Sequence, residues 1–149
     1  MNITTKGRYA LRVMLDLAQH PEDGFVSLKT TADRQNISMK YLELIISRLK
    51  KAGLVESTRG KEGGYRLTRR PREYPVLDIL SSIEDSLAPV SCLQDGAVAC
   101  ERATVCQTLP MWKELDGITN HYLASVTLED LLTGERWASA GPGSPAAGI

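Results

Sequence analysis

Residues 27–67 read SLKTTADRQNISMKYLELIISRLKKAGLVESTRGKEGGYRL, and this stretch decides the fold. Ser27 is a residue type that caps a helix N-terminus, because its hydroxyl accepts an otherwise unpaired N–H of the first turn. It predicts a short helix from Leu28 to Gln35. Asn36 tolerates the left-handed backbone that a tight turn needs. Ser38 is a second cap and opens a helix to about Ala52, ended by Gly53. Leu42, Ile45, Ile46 and Leu49 recur at helical spacing and mark its buried face. Lys40, Glu43, Leu44, Ser47 and Lys51 lie opposite. Two short helices joined by a tight turn, the second with a polar and basic outer face, form a candidate helix-turn-helix. Leu54–Arg59 then reads as a strand, 60–64 as a glycine-rich tip and Tyr65–Leu67 as a returning strand. A hairpin directly after such a helix is the wing of a winged helix.

Working outward, Thr5–Gln19 has an amphipathic helical pattern, with Ala10, Met14, Leu17 and Ala18 on one face and Leu11 and Leu15 beside them. His20 falls in a breaking segment and reads as solvated loop. Pro75 starts a short helix to about Ile83, with Val76, Ile79, Leu80 and Ile83 buried. Residues 84–107 read as an irregular loop, and a loop of that length in a small protein is functional or disordered. A long helix follows from about Thr108 to Ala124. Met111, Leu115, Ile118 and Tyr122, joined by Trp112, make an apolar stripe suited to pairing with a second copy of the chain. His121 on this helix reads as buried or interfacial. Thr127 caps a last helix. The fold class is mainly α with a small β wing: a winged helix-turn-helix plus a long dimerisation helix. It divides into a DNA-binding region over 1–72, a loop and dimerisation region over 73–133 and a tail over 134–149, disordered by composition from about Ser139.

The 149 residues carry no net charge, yet the two halves differ sharply. Residues 1–72 hold fifteen Lys and Arg against seven Asp and Glu; residues 73–149 hold three against eleven. The basic half suits a polyanion. On the proposed recognition helix, Ser38, Lys40, Tyr41 and Glu43 are candidates for base edges. Glu43 has the chemistry to accept from a cytosine amino group or to penalise wrong sites. Lys50, Lys51, Arg59 and the wing-tip Lys61 are candidates for phosphates, and Arg59 and Lys61 equally for a narrow minor groove. The expected partner is a double-stranded DNA operator. No run of about 18 apolar residues exists to span a membrane. No secretion signal is evident, so a cytoplasmic location is expected. Neither a Ser-His-Asp pattern nor a phosphate-cradling glycine loop is present, which argues against an enzyme. A protein–protein adaptor would leave the basic half without a purpose.

Cys92, Cys100 and Cys106 lie within fifteen residues of the acidic half. An odd count without a secretion signal argues against a disulfide framework. Clustered thiols of this kind point to metal or redox chemistry. Zinc accepts three cysteines plus a further ligand, but the gaps here lack the short knuckles of structural zinc sites. A thiol redox switch and inert cysteines are the other readings.

The string Thr5-Lys6-Gly7-Arg8-Tyr9-Ala10 resembles the opening of the Rrf2 family of winged-helix regulators. So do the run from Ile37 to Lys51, Gly53-Leu54-Val55 with Arg59-Gly60 and Gly63-Gly64-Tyr65, and Thr127-Leu128-Glu129-Asp130-Leu131. The resemblance covers about residues 1–133 and is greatest to the iron–sulfur cluster (IscR-like) branch. It implies a homodimer on a partly palindromic operator, with affinity modulated by an iron–sulfur cluster that reports iron–sulfur status, redox state or nitric oxide. By position, Cys92, Cys100 and Cys106 match the three cysteine ligands, and 2Fe–2S is favoured over 4Fe–4S. The spacing C-x7-C-x5-C is longer in its first gap than the branch's pattern. The histidine expected three residues past the last cysteine is absent, with Gln107, Thr108 and Leu109 there instead. The fourth ligand is therefore open: Asp95, Glu101, the partner subunit's first helix or a small thiol. His121 lies too far along its helix in the same chain. The alternative is a regulator of the same family that senses a metabolite, thiol oxidation or zinc.

Overall fold

The computed structural model describes residues 2–139. The helices are α1 (Thr5–Gln19), α2 (Leu28–Gln35), α3 (Met39–Lys51), α4 (Val76–Ile83), α5 (Leu109–Ser125), α6 (Leu128–Thr133) and α7 (Glu135–Ala138). Strands β1 (Val55–Thr58) and β2 (Gly64–Leu67) form the antiparallel hairpin, with Val55 opposite Leu67 and Thr58 opposite Gly64. The expected caps are all in place. Ser27 accepts from Thr30 N, Ser38 from Tyr41 N and Thr127 from Asp130 N. Asn36 sits at φ 53°, the left-handed corner that turns α2 into α3.

The core joins both halves of the chain. Ala10, Val13 and Met14 of α1 meet Leu42, Ile45 and Leu49 of α3, Ile79 and Ile83 of α4, and Leu128 of α6. A smaller cluster of Val76, Leu80 and Val126 is flanked by Tyr122, Leu123 and Trp137. Helix α4 packs on α1, α3 and α5, and so stands between the helix-turn-helix and the long helix.

The wing is fastened at two points. Val26 and Tyr65 exchange both backbone hydrogen bonds at 2.8 Å, adding a third chain segment to the hairpin. Gly64 makes that approach possible, since a Cβ there would overlap the Val26 carbonyl. At the wing's base, the buried Tyr74 hydroxyl donates to Leu54 O at 2.9 Å and accepts from Thr68 N at 2.8 Å and Arg69 N at 2.9 Å.

Three local expectations change. Part of the tail region is helical, because Trp137 packs on the smaller cluster and Arg136 donates to Ser125 O at 2.8 Å. The expectation of disorder over 140–149 lies outside the described residues. His20 is half-buried rather than a free loop residue, its Nδ1 2.9 Å from Asp16 O at the end of α1. His121 is exposed on α5, which rules out burial within the single chain and leaves the interfacial reading open. Among the described residues no helix is long and apolar enough to cross a membrane.

Candidate nucleic-acid interface and cysteine loop

The helix-turn-helix rests on α1 through polar contacts as well as apolar ones. Asp16 is only 1% exposed, and its carboxyl is partnered: Arg34 Nη2 lies 3.1 Å from it and Gln35 Nε2 donates to it at 3.0 Å. Arg34 also reaches Asp23 at 3.1 Å, and Arg12 donates to the Gln35 side chain and carbonyl. A buried carboxylate needs such partners to be tolerated. The end of α2 is thereby pinned to α1, which fixes where α3 begins.

From that base α3 presents Ser38, Met39, Lys40, Glu43, Leu44 and Ser47 to solvent. Met39 and Leu44 are large apolar residues at 42% and 45% exposure, a surface suited to thymine methyl groups rather than to water. Tyr41 is the fourth base-edge candidate on this helix. It is half-buried with its ring edge-on to Tyr9 at 5.6 Å, and Arg12 covers the Tyr9 ring. Lys50 and Lys51 end α3, while Arg59 and Lys61 flank Gly60 at the wing tip. All four are exposed, and among the described residues none is ion-paired. Gly60 has φ 111°, a conformation that lets the tip turn with its cations outward. An open concavity lined by Phe25, Ser27, Thr30, Lys61 and Gly63 separates the tip from the start of α2.

Residues 84–108 join α4 to α5 with a single 3-10 turn, Ser91–Leu93, as their only helix. Cys92 and Cys100 are exposed and Cys106 is half-buried; none is in a disulfide. Thr108 Oγ1 stands 3.4 Å from Cys106 Sγ. The Thr108 hydroxyl and backbone N–H hold the Cys106 thiol below its usual range, with Leu109 N–H and the Arg102 charge adding to the effect. Three accessible thiols, one already inclined to ionise, are the donor chemistry that soft metals and iron–sulfur clusters take. They are not assembled in advance. Among the described residues no three His, Cys, Asp or Glu side chains stand close enough to hold a metal ion. The donor types fit a cluster, and the loop would have to close to supply them together.

Helix α5 follows directly, and no residue of its seventeen is fully buried. Met111, Leu115 and Ile118 are 51%, 37% and 40% exposed, along one side. Tyr122 continues the same stripe toward the C-terminal end of α5, where it and Leu123 pack on the smaller cluster, and α5 packs on α4. Sequence reasoning found this stripe. It missed Asp16, Arg34, Arg48 and Glu84, whose roles rest on partners distant in sequence.

Residues 3–134 match the Rrf2 family of iron-dependent transcriptional regulators. The HTH-type transcriptional regulator IscR of Aliivibrio salmonicida is 40% identical over 132 residues, covering 89% of this chain and 77% of that protein. Among solved structures, CymR, described as the global cysteine regulator of B. subtilis, is 38% identical with TM-score 0.72, over 90% of this chain and 98% of that one. T. potens IscR is 38% identical with TM-score 0.71, over 96% and 94%. These relatives are regulators, not enzymes, and the helix-turn-helix, wing and long helix are all inside the matched region. The chain belongs to the Rrf2 family and is an IscR-like DNA-binding transcriptional regulator.

Proposed function

We propose that this regulator acts as a homodimer joined along α5, and that its operator affinity depends on an iron–sulfur cluster held by Cys92, Cys100 and Cys106. The observation that carries the cluster reading is the placement of all three thiols, accessible and unpaired with each other, on one irregular loop that leads straight into α5. A bound cluster, 2Fe–2S by preference, supplies iron that responds to redox state and nitric oxide. The chain's own contribution is to offer thiolates, and Thr108 does this for Cys106 by hydrogen bonding to the charged form. The fourth ligand comes from outside the three cysteines. Asp95 and Glu101 are the carboxylates that lie between Cys92 and Cys106.

Dimerisation follows from the uncovered apolar side of α5, a face that a second copy would cover with its own. Two recognition helices then address two half-sites of a cytoplasmic DNA operator. Lys40 and Glu43, with Ser38 at the helix start, read base edges. Tyr41 joins them from its place beside Tyr9, and Lys50, Lys51, Arg59 and Lys61 neutralise phosphates.

The test is anaerobic purification and reconstitution, with a visible spectrum and iron, sulfide and zinc assays on one sample. Brown absorption with matched iron and sulfide, lost in Cys92→Ala, Cys100→Ala or Cys106→Ala, supports the reading. A colourless protein that resists reconstitution overturns it. A second reading is a regulator that senses thiol oxidation or a small thiol. The lowered Cys106 thiol favours it, as does the likeness to a protein described as a cysteine regulator. Its signature is operator binding that changes with oxidant while iron is absent.

A further inference from the structure

Ile83, Glu84 and Asp85, the three residues at the junction of α4 and the cysteine loop, hold both ends of the DNA-binding unit. Glu84 Oε1 accepts from Thr4 N at 2.8 Å and Thr4 Oγ1 at 3.0 Å, at the N-terminus of α1. A carboxylate there is favoured by the unpaired N–H groups of the helix start. Gly7 leaves room for it, since a Cβ at that position would overlap the carboxylate. On the other side, Arg48 in the last turn of α3 donates from Nη1 to Ile83 O at 2.6 Å. The same nitrogen lies 3.6 Å from Asp85 Oδ1. The Ile83 carbonyl is one of those that the end of α4 leaves unpaired, so a guanidinium suits it.

The two grips differ in strength. Asp85 is 94% exposed, and an ion pair in that setting is weak and easily exchanged for water. The Ile83 contact is part-buried and short. Cys92 lies seven positions after Asp85, and the intervening chain is folded against α4 and α5. Glu84, Asp85, Leu87, Leu93, Asp116 and Asn120 line one concavity of about 190 Å³ there. The segment from Asp85 to Cys92 is short and anchored by Leu87 on the smaller cluster, which makes it a route by which movement at Cys92 would reach Asp85. At Asp85 it meets a side chain anchored in the recognition helix.

We propose that Arg48 is a positioning residue that conveys the state of the cysteine loop to the recognition helix, through Asp85 and the Ile83 carbonyl. This rests on the reading that the loop holds a cluster. It adds a route that acts within one subunit, separate from any change in how α5 pairs two subunits. The loop in one state keeps Asp85 beside Arg48 and fixes the end of α3 against α4. In the other state Asp85 is drawn away, and α3 is free to adjust its tilt on DNA.

The test uses the full chain, unloaded or reconstituted with ferrous iron and sulfide, and a duplex selected by the wild-type protein from a random-sequence pool. Affinity is measured in both states for wild type, Arg48→Gln and Asp85→Ala. Couplings of this kind change wild-type affinity about 5–150-fold between states. Arg48→Gln and Asp85→Ala are each expected to lower that ratio at least about threefold. Both should load the cluster with the wild-type spectrum. A wild-type ratio retained in both variants overturns the proposal. So does an equal loss of affinity in both states, which would make Arg48 a phosphate contact or a purely structural residue. If the wild type takes up no cluster, the cluster reading fails by itself. The route is then read by alkylating the loop cysteines with N-ethylmaleimide and following amide hydrogen exchange in the last turn of α3. A change in wild type that disappears in Asp85→Ala supports the route, and no change in wild type overturns it.

Discussion

Tyr74 uses all of its hydroxyl's capacity, one proton donated to Leu54 O and two backbone N–H groups accepted, at a site with no solvent exposure. Tyr74→Phe strands those groups while the ring still fills its space. It is expected to destabilise the fold by about 1–3 kcal/mol, read as a lower midpoint in urea with an unchanged slope. An unchanged midpoint would mean that water replaces the hydroxyl. At Cys106 the relevant group is the Thr108 hydroxyl, the largest cause of the lowered thiol. Thr108→Val should return the thiol toward its usual range and reduce the thiolate fraction near neutrality. In metal-free protein carrying Cys92→Ser and Cys100→Ser, alkylation at neutral pH should slow by about two- to fivefold, and the difference should close as pH rises past about 9. Equal rates at neutral pH would count against the hydrogen bond. Such residue-scale chemistry was only partly legible in the sequence. Ser27, Ser38 and Thr127 act on N–H groups three positions away, so their capping was readable from spacing alone. Asp16 and Arg34 meet across a helix pair, and nothing local distinguishes a buried carboxylate from a solvated one.

The same contrast holds for elements. Helix α3 was legible because its four buried positions and its cap agree, whereas α7 has four residues, too few for periodicity to register. It exists because Trp137 and Arg136 find partners on α5 and the smaller cluster, not because its own sequence favours a helix. The stripe on α5 was readable, but a stripe alone does not say whether it covers the chain's own core or a second chain. The exposure of Leu115 and Ile118 favours the second, and it also makes the idea testable. A charge at a position already open to water costs the single chain little, but it is forbidding between two packed helices. Leu115→Glu with Ile118→Glu should leave helicity and thermal midpoint near wild type and yield monomers by sedimentation. Operator affinity should fall by about 10²-fold or more, because the second half-site is no longer engaged at high effective concentration. A variant that stays dimeric would place the interface elsewhere. For the wing, Arg59→Ala and Lys61→Ala should each lower the slope of log affinity against log salt by about one unit if each cation displaces one counterion. An unchanged slope for either would take that side chain off the phosphate backbone.

Across the whole molecule, the charge is sharply divided. The first 72 residues carry an excess of eight positive charges and the rest an equal negative excess. Yet the two parts share a core through Leu128 and α4, so they do not tumble independently. A polyanion would meet the basic helix-turn-helix and wing, and the acidic loop and α5 would be turned away from it. In a dimer joined along α5, that division leaves only the basic ends to approach the duplex. A rigid arrangement of this kind has a geometric consequence. Two recognition helices fixed to one frame fit half-sites only at one separation and one rotation about the DNA axis. Inserting about 5 base pairs between the half-sites turns one of them to the opposite face, while about 10 base pairs restores the face but lengthens the span by about 34 Å. Because α4 ties each recognition helix to α5, neither change should be absorbed by bending between parts of a subunit. Both insertions are expected to reduce affinity to that of a single half-site, with the monomeric α5 variant unaffected by either. Recovery at the 10-base-pair insertion would show instead that the subunits hinge freely. The cysteine loop would then have no fixed spacing between recognition helices to adjust, and its control of DNA binding would have to run within one subunit, from Asp85 to Arg48.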